Sequence, residues 1–173
     1  MKWIAIILMC IVASVFYGIV HDQITARICV EYFTIGHPPV FGTEDPTLLG
    51  LGWGIIATWW VGALLGIPLA FACRLGRWPK RDPSTLYRPL LLLMACSFAL
   101  ATIAGIVGWI AASNGWVVLV GPLAYRVPAN QHVPFLIDLW AHSASYLAGF
   151  VGGVVLIVLV LRGRRRQHLQ SGT

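Results

Sequence analysis

The run Phe135-Leu-Ile-Asp138-Leu-Trp-Ala-His142-Ser-Ala-Ser145-Tyr-Leu-Ala-Gly149-Phe-Val-Gly152-Gly-Val-Val-Leu-Ile-Val-Leu-Val-Leu161 holds only two ionisable side chains from end to end. A bilayer core about 30 Å thick needs roughly 20 apolar residues of helix, each rising about 1.5 Å. This run exceeds that length, and three others match it: Trp3 to Val20, Leu48 to Cys73 and Pro89 to Ala112. Asp45-Pro46 opens the second as an N-cap followed by proline at the first helical position, and Ser113-Asn114-Gly115 closes the third as a turn. The reading is an all-α, four-helix transmembrane bundle forming one domain, with spans at about 3–20, 48–73, 89–112 and 135–161.

Composition agrees. Of 173 residues, 58% are hydrophobic and 10% charged, against about 45–50% and 25% in soluble domains. That balance excludes a soluble enzyme and a disordered tail. The formal charge of +6 is a matter of topology. Arg74, Arg77, Lys80, Arg81 and Arg88 fall between spans two and three, Arg162, Arg164, Arg165 and Arg166 follow span four, and Lys2 precedes span one. The other two connections, 21–47 and 113–134, carry only Arg27 and Arg126. The positive-inside rule then predicts cytoplasmic termini, a basic cytoplasmic tail at 162–173, and external 21–47 and 113–134 connections. The basic residues face anionic lipid heads, and no nucleic acid is expected as a partner. Met1-Lys2-Trp3 and the run behind it also fit a signal peptide, but no A-x-A site lies near Gly18. The segment is read as a span.

Small residues recur at four-residue spacing: Gly50, Gly54, Gly62 and Gly66 in span two, Ala101 with Gly105 and Ala104 with Gly108 in span three. Span four adds Ala141, Ser145, Gly149 and Gly153. Such stripes let helix backbones approach closely. They serve a four-helix bundle or a homo-oligomer equally well. Cys10, Cys29, Cys73 and Cys96 form no C-x-x-C pair, so neither a disulfide framework nor a thiol redox site is expected.

In span four, positions 138, 142, 145, 149 and 152 repeat at four and three, which is one helical face. Asp138 and His142 therefore share the bundle-facing side with Ser145 and Gly149. On the first helix, Ser14, Gly18, His21, Thr25 and Tyr32 align in the same way if the helix continues past the span. His21 lies 18 residues from Trp3 and His142 lies 19 from Leu161, so both stand about 27–29 Å above the inner boundary. The expectation is that they meet at the outer rim. Asp22, Glu31, His37 and His132 gather metal-ligand types around the same rim.

Imidazole with carboxylate suits Zn, Fe, Mn or Cu. The candidate metal ligands are His21, Asp138 and His142, with Asp22, Glu31, His37 and His132 in reserve. No catalytic residue is assigned. A structural reading stands beside this one: Asp138 as a carboxylate in a first helical turn, His142 as a cross-bundle hydrogen-bond donor, Arg27 and Glu31 as an exposed ion pair, and His37 and His132 as loop residues. A third reading uses His21 and His142 as axial ligands of a b-type haem. A transporter is disfavoured, because spans two and three contain no ionisable residue.

The stretch His21-Asp22-Gln23-x-Thr25 followed by Glu31-Tyr32-Phe33-Thr34-x-Gly36-His37-Pro38, with the Pro46-Thr-Leu-Leu-Gly-Leu-Gly-Trp-Gly54 span behind it, resembles uncharacterised bacterial four-span integral membrane proteins. The resemblance implies the four-span architecture and a bacterial inner (plasma) membrane, and it carries no activity. Two functions follow as expectations. One is a metal-dependent membrane enzyme with its site at the outer rim. The other is a non-catalytic accessory or assembly subunit of a larger membrane complex.

Overall fold

The computed structural model describes residues 1–171; Gly172 and Thr173, the end of the expected basic tail, lie outside the described residues. Among the described residues the chain is helical throughout, without a strand: α1 (Lys2–Ile28), α2 (Val30–Thr34), α3 (Pro46–Ile56), α4 (Trp59–Arg74), α5 (Tyr87–Ser113), α6 (Pro122–Arg126) and α7 (His132–Ser171). Short 3-10 turns at Pro83–Thr85 and Ala129–Gln131 lead into α5 and α7. Four helical stretches are long and apolar enough to cross a membrane: Lys2–Ile28, Pro46–Arg74, Pro83–Ser113 and Ala129–Ser171.

Each helix is longer or more broken than its apolar run. α1 continues two turns past Val20 and stops at Cys29, whose extended backbone (φ −147°, ψ 102°) starts the separate α2. The second span is interrupted at Ala57 and Thr58, between α3 and α4. There the Thr58 hydroxyl donates back to the Gly54 carbonyl, and the Ala57 carbonyl accepts from Tyr146 on α7 at 3.3 Å. Asp45 caps α3 as its sequence predicts, its Oδ1 accepting from the amides of Thr47 and Leu48 at 2.9 Å.

The small-residue stripe of span two is used inside the chain. A Cβ on Gly54 would stand 2.6 Å from the Cα of Ile19, one on Gly62 the same distance from the Cα of Ile11, and one on Gly50 3.0 Å from the Asp22 carbonyl. Backbone therefore lies against backbone along α1 from Ile11 to Asp22, which any side chain would prevent. Gly108 of α5 instead seats a side chain, that of Trp140 on α7, whose Cγ would stand 2.8 Å from a Cβ there. The result is two close pairs, α1 with α3 and α4, and α5 with α7; the pairs touch each other sparsely, mainly through α4 and α7. One apolar core, built on Ile6, Leu69, Leu90 and Leu156, closes the seam at one end. A second, with Cys29, Tyr32, Phe33, Trp53, Leu119, Val127 and Phe135, closes the other. The second draws residues from both long connections, so the 113–134 segment lies over that end as a lid.

The basic segments share one end of the bundle. Lys2 pairs with Asp82, and α7 runs on through 162–171 as helix to reach the α4–α5 connection. Arg164 is 1% exposed there. A helix end leaves its last carbonyls without partners. At the end of α4, the Phe71 carbonyl accepts from Leu75 N and the Cys73 carbonyl from Arg81 N. The Ala72 carbonyl accepts from Arg164, whose guanidinium also donates to Leu75, Trp78 and Pro79 at 2.8–3.0 Å. The sequence marks Arg164 only as one of a basic cluster, and the fold makes it a clamp between α7 and α4. Arg164→Met is expected to cost about 2–4 kcal/mol, because charged hydrogen bonds contribute about 1.5–3 kcal/mol each and orphaned carbonyls add desolvation. Thermal unfolding of the detergent-solubilised protein checks this, and an unchanged Tm would show that the clamp carries no load.

Candidate metal centre

Where α1 crosses α7, the two helix pairs meet at His21, Asp22 and His142, which are 6%, 4% and 8% exposed. One ligand atom from each lies within 4.8 Å of the other two, a grouping that can hold a single metal ion. The depth count from the sequence brings the histidines together as expected: their rings are 4.5 Å apart between centroids and nearly perpendicular, at 77°.

The chemistry of His142 follows from its partners. Its Nδ1 lies 2.8 Å from the backbone carbonyl of Asp138. A carbonyl only accepts, so Nδ1 carries the proton. Nε2 then faces Asp22 Oδ1 at 3.2 Å. A bare nitrogen lone pair and a carboxylate oxygen repel, so something must stand between them: a proton, carried by Nε2 or by the Asp22 carboxyl, or a cation bound by both. Metal-ligating histidines usually show this arrangement, one ring nitrogen donating to a carbonyl while the other is left for the ion. With bonds of about 2.0–2.1 Å, two donors 3.2 Å apart subtend an angle of about 100° at a shared ion. That lies between tetrahedral and cis-octahedral geometry. His21 Nε2 is buried without any hydrogen-bond partner, at a site where a satisfied nitrogen is the rule.

Aromatic rings fix the imidazoles. Tyr32 stacks on His142 at 4.5 Å and Phe33 meets its edge at 5.7 Å, while Tyr17 stacks on His21 at 5.8 Å. The Tyr17 hydroxyl is tied to Ser145 at 2.7 Å, across the seam. Tyr17 is absent from the sequence-derived set, although it lies one turn before His21.

The remaining candidates are placed elsewhere. Asp138 is fully buried, yet its carboxylate is outside the three-residue group and neither oxygen has a hydrogen-bond partner. Its backbone, not its side chain, orients His142. Glu31 accepts from the Cys29 thiol at 3.5 Å. His37 donates Nδ1–H to the Tyr32 carbonyl at 2.8 Å, and His132 donates Nε2–H to the Val127 carbonyl at 3.0 Å. His37 is thereby one aromatic ring removed from the centre, through Tyr32. The His21 and His142 rings also bear on the haem reading. Trans axial ligands would hold two imidazole centroids more than about 6 Å apart across a macrocycle, and these rings leave no such slot.

No protein-family model matches the chain, and no curated protein and no solved structure matches it. The chemistry therefore rests on the geometry of the residues themselves.

Sulfur takes no part in the group. Cys29 is 1% exposed, and burial pushes its thiol pKa up to about 12. A raised thiol pKa means that thiolate forms only near and above that pH, so at neutral pH the sulfur is neither nucleophile nor soft ligand. With Cys29 as the sole cysteine, alkylation by a maleimide at pH 7.5 is expected to be at least tenfold slower than for the same protein unfolded in detergent. Equal rates would overturn the placement.

Proposed function

We propose that this chain is a membrane metalloprotein whose transition-metal ion is held by His21, Asp22 and His142, and that the ion serves as a reaction centre. The observation that carries this reading is the buried His142 Nε2–Asp22 Oδ1 contact at 3.2 Å, in a ring whose other nitrogen is already committed. Two imidazoles and one carboxylate also leave coordination positions open, as catalytic zinc sites and non-haem iron sites do and sealed structural zinc sites do not. Zinc at such a site activates water for hydrolysis, while iron or copper suits oxidation. In this reading both termini are cytoplasmic, the centre lies toward the outer face, and the membrane is the bacterial plasma membrane. The common end of Lys2, the α4–α5 connection and the end of α7 supports that orientation.

A second reading has an observation of its own. Protonated on both nitrogens, His142 forms a closed ion pair with Asp22 that joins the helix pairs without a metal. The chain would then be an accessory subunit in a larger membrane complex.

Elemental analysis of purified protein after a chelator wash separates the two. Stoichiometric metal is expected in the wild type, with at least a tenfold loss in His142→Ala and Asp22→Asn. Asp138→Asn is expected to retain it, since that carboxylate is outside the group. Because ligands must shed protons to bind, retention should also fall as pH falls. Wild-type protein that is folded and metal-free after reconstitution with zinc, ferrous iron, manganese and copper would sink the metal reading.

A further inference from the structure

The metal centre is one end of a longer feature. A cavity of about 120 Å³ begins at His21, Asp22 and His142 and follows the seam between the helix pairs as far as Cys10 and Leu156. From Asp22 to Cys10 along α1 is about 18 Å at 1.5 Å per residue. Its wall past the centre is built from Leu65, Leu69, Leu90, Leu93, Met94 and Leu156. Most hydroxyls that border it are engaged: Ser14 donates to the Ile11 carbonyl, Thr58 to the Gly54 carbonyl and Tyr146 to the Ala57 carbonyl, and Tyr17 pairs with Ser145. Along the leucine wall water gains little, and apolar cavities of similar size take apolar guests. The cavity is also not sealed from the bilayer. Tyr146, 42% exposed, and the half-buried Gly149 form part of its wall. A Cβ on Gly149 would meet no atom within 4 Å.

We propose that this cavity binds the alkyl chain of a single-chain lipid, with an oxygen-bearing head at the His21–Asp22–His142 end. The inference rests on the metal reading for the head and on the cavity alone for the chain. The shape selects the class of ligand. The space is elongated, carries imidazole and carboxylate side chains only at the His21–Asp22–His142 end, and is surrounded by hydrocarbon in which the abundant apolar molecules are lipids. An extended chain rises about 1.25 Å per carbon, so roughly fourteen carbons would span the lined length, and a space of about 120 Å³ admits them as its flexible side chains move aside. The glycines set the bore: Leu93 lies over Gly152 and Leu65 over Gly153, so rotation of two flexible leucines widens the path as a chain enters. A second cavity, about 290 Å³, reaches His21 from the opposite side between α1, α5 and α7. It gives the head group a lateral approach to the metal from the bilayer.

The test uses the full chain in lipid nanodiscs with a fourteen-carbon fatty acid carrying a diazirine at mid-chain. After irradiation, labelled residues are mapped by mass spectrometry. Adducts are expected on Leu65, Leu90, Leu93 and Met94, besides those on outward Leu92 and Leu147, each 66% exposed. Gly149→Leu should cut the inward adducts at least fivefold and leave the outward ones unchanged. Leu93→Ala, which opens the bore, should raise them, and it keeps the test decisive if the first variant does not fold. Inward labelling that is absent in the wild type, or indifferent to both substitutions, overturns the proposal. His142→Ala separates the two readings: inward adducts that persist in this metal-depleted variant uphold the chain site by itself, whereas wild-type protein that retains metal without inward adducts overturns the chain site and upholds the centre alone.

Discussion

His142 donates one ring nitrogen to a backbone carbonyl and turns the other toward a carboxylate, in a place that water does not reach. Two acceptors beside one imidazole demand a proton or a cation between nitrogen and carboxyl, and inside hydrocarbon an unmatched polar atom costs several kcal/mol. Whatever bridges them also connects the two halves of the protein. Asp22 belongs to the pair formed by α1 with α3 and α4, and His142 to the pair formed by α5 with α7. Elsewhere along the seam the pairs are held by the apolar cores at its ends and by Tyr146 and Arg164 reaching across.

Glycine decides why the seam exists. On α3 and α4 the glycines bring two backbones into contact along α1, and on α5 they seat α7 side chains. Those contacts are made within a pair. Between the pairs, Gly149 faces open space, and Gly153 is covered by the flexible end of Leu65. Close packing inside each pair and slack between them is what a membrane protein needs in order to admit a guest without unfolding. Apolar side chains gain little from leaving lipid, so the loose seam costs less than it would in a soluble core. The rim is different. There the connections lie beyond the spans, and burying Tyr32, Phe33 and Phe135 contributes the ordinary hydrophobic stabilisation of about 1.5–3 kcal/mol each.

Hydrophobic length and helical periodicity made the four spans legible, and counting residues from the inner boundary placed His21 opposite His142. Both arguments use only one dimension of the helix. The choice among carboxylates needed two. Face arithmetic put Asp138 beside His142 and treated Asp22 as a reserve, because Asp22 follows His21 by 100° around α1. The sequence does not reveal how far α1 is rotated about its axis, and the approach of Gly50 to Asp22 sets that rotation. The break at Cys29 and the interruption at Thr58 escaped for a similar reason: neither is marked by proline, while Pro68 lies inside α4 without ending it. Arg164 carried no distinguishing signal among four neighbouring arginines.

Arg164 and the metal centre are two ways of burying charge in one chain, and the contrast separates their roles. The guanidinium is surrounded by four backbone carbonyls that match its planar fork of donors. It is complete, and nothing more can bind to it. The centre is incomplete: His21 Nε2 is buried without a partner, as are both oxygens of Asp138 nearby, and a cavity opens beside His21, Asp22 and His142. A protein able to satisfy one buried cation so fully has no structural need to leave three buried acceptors unsatisfied. Native structures retain such groups chiefly where something else completes them. In the proposed reading a cation would complete His21, and the cavity would give a reactant access to the positions that remain.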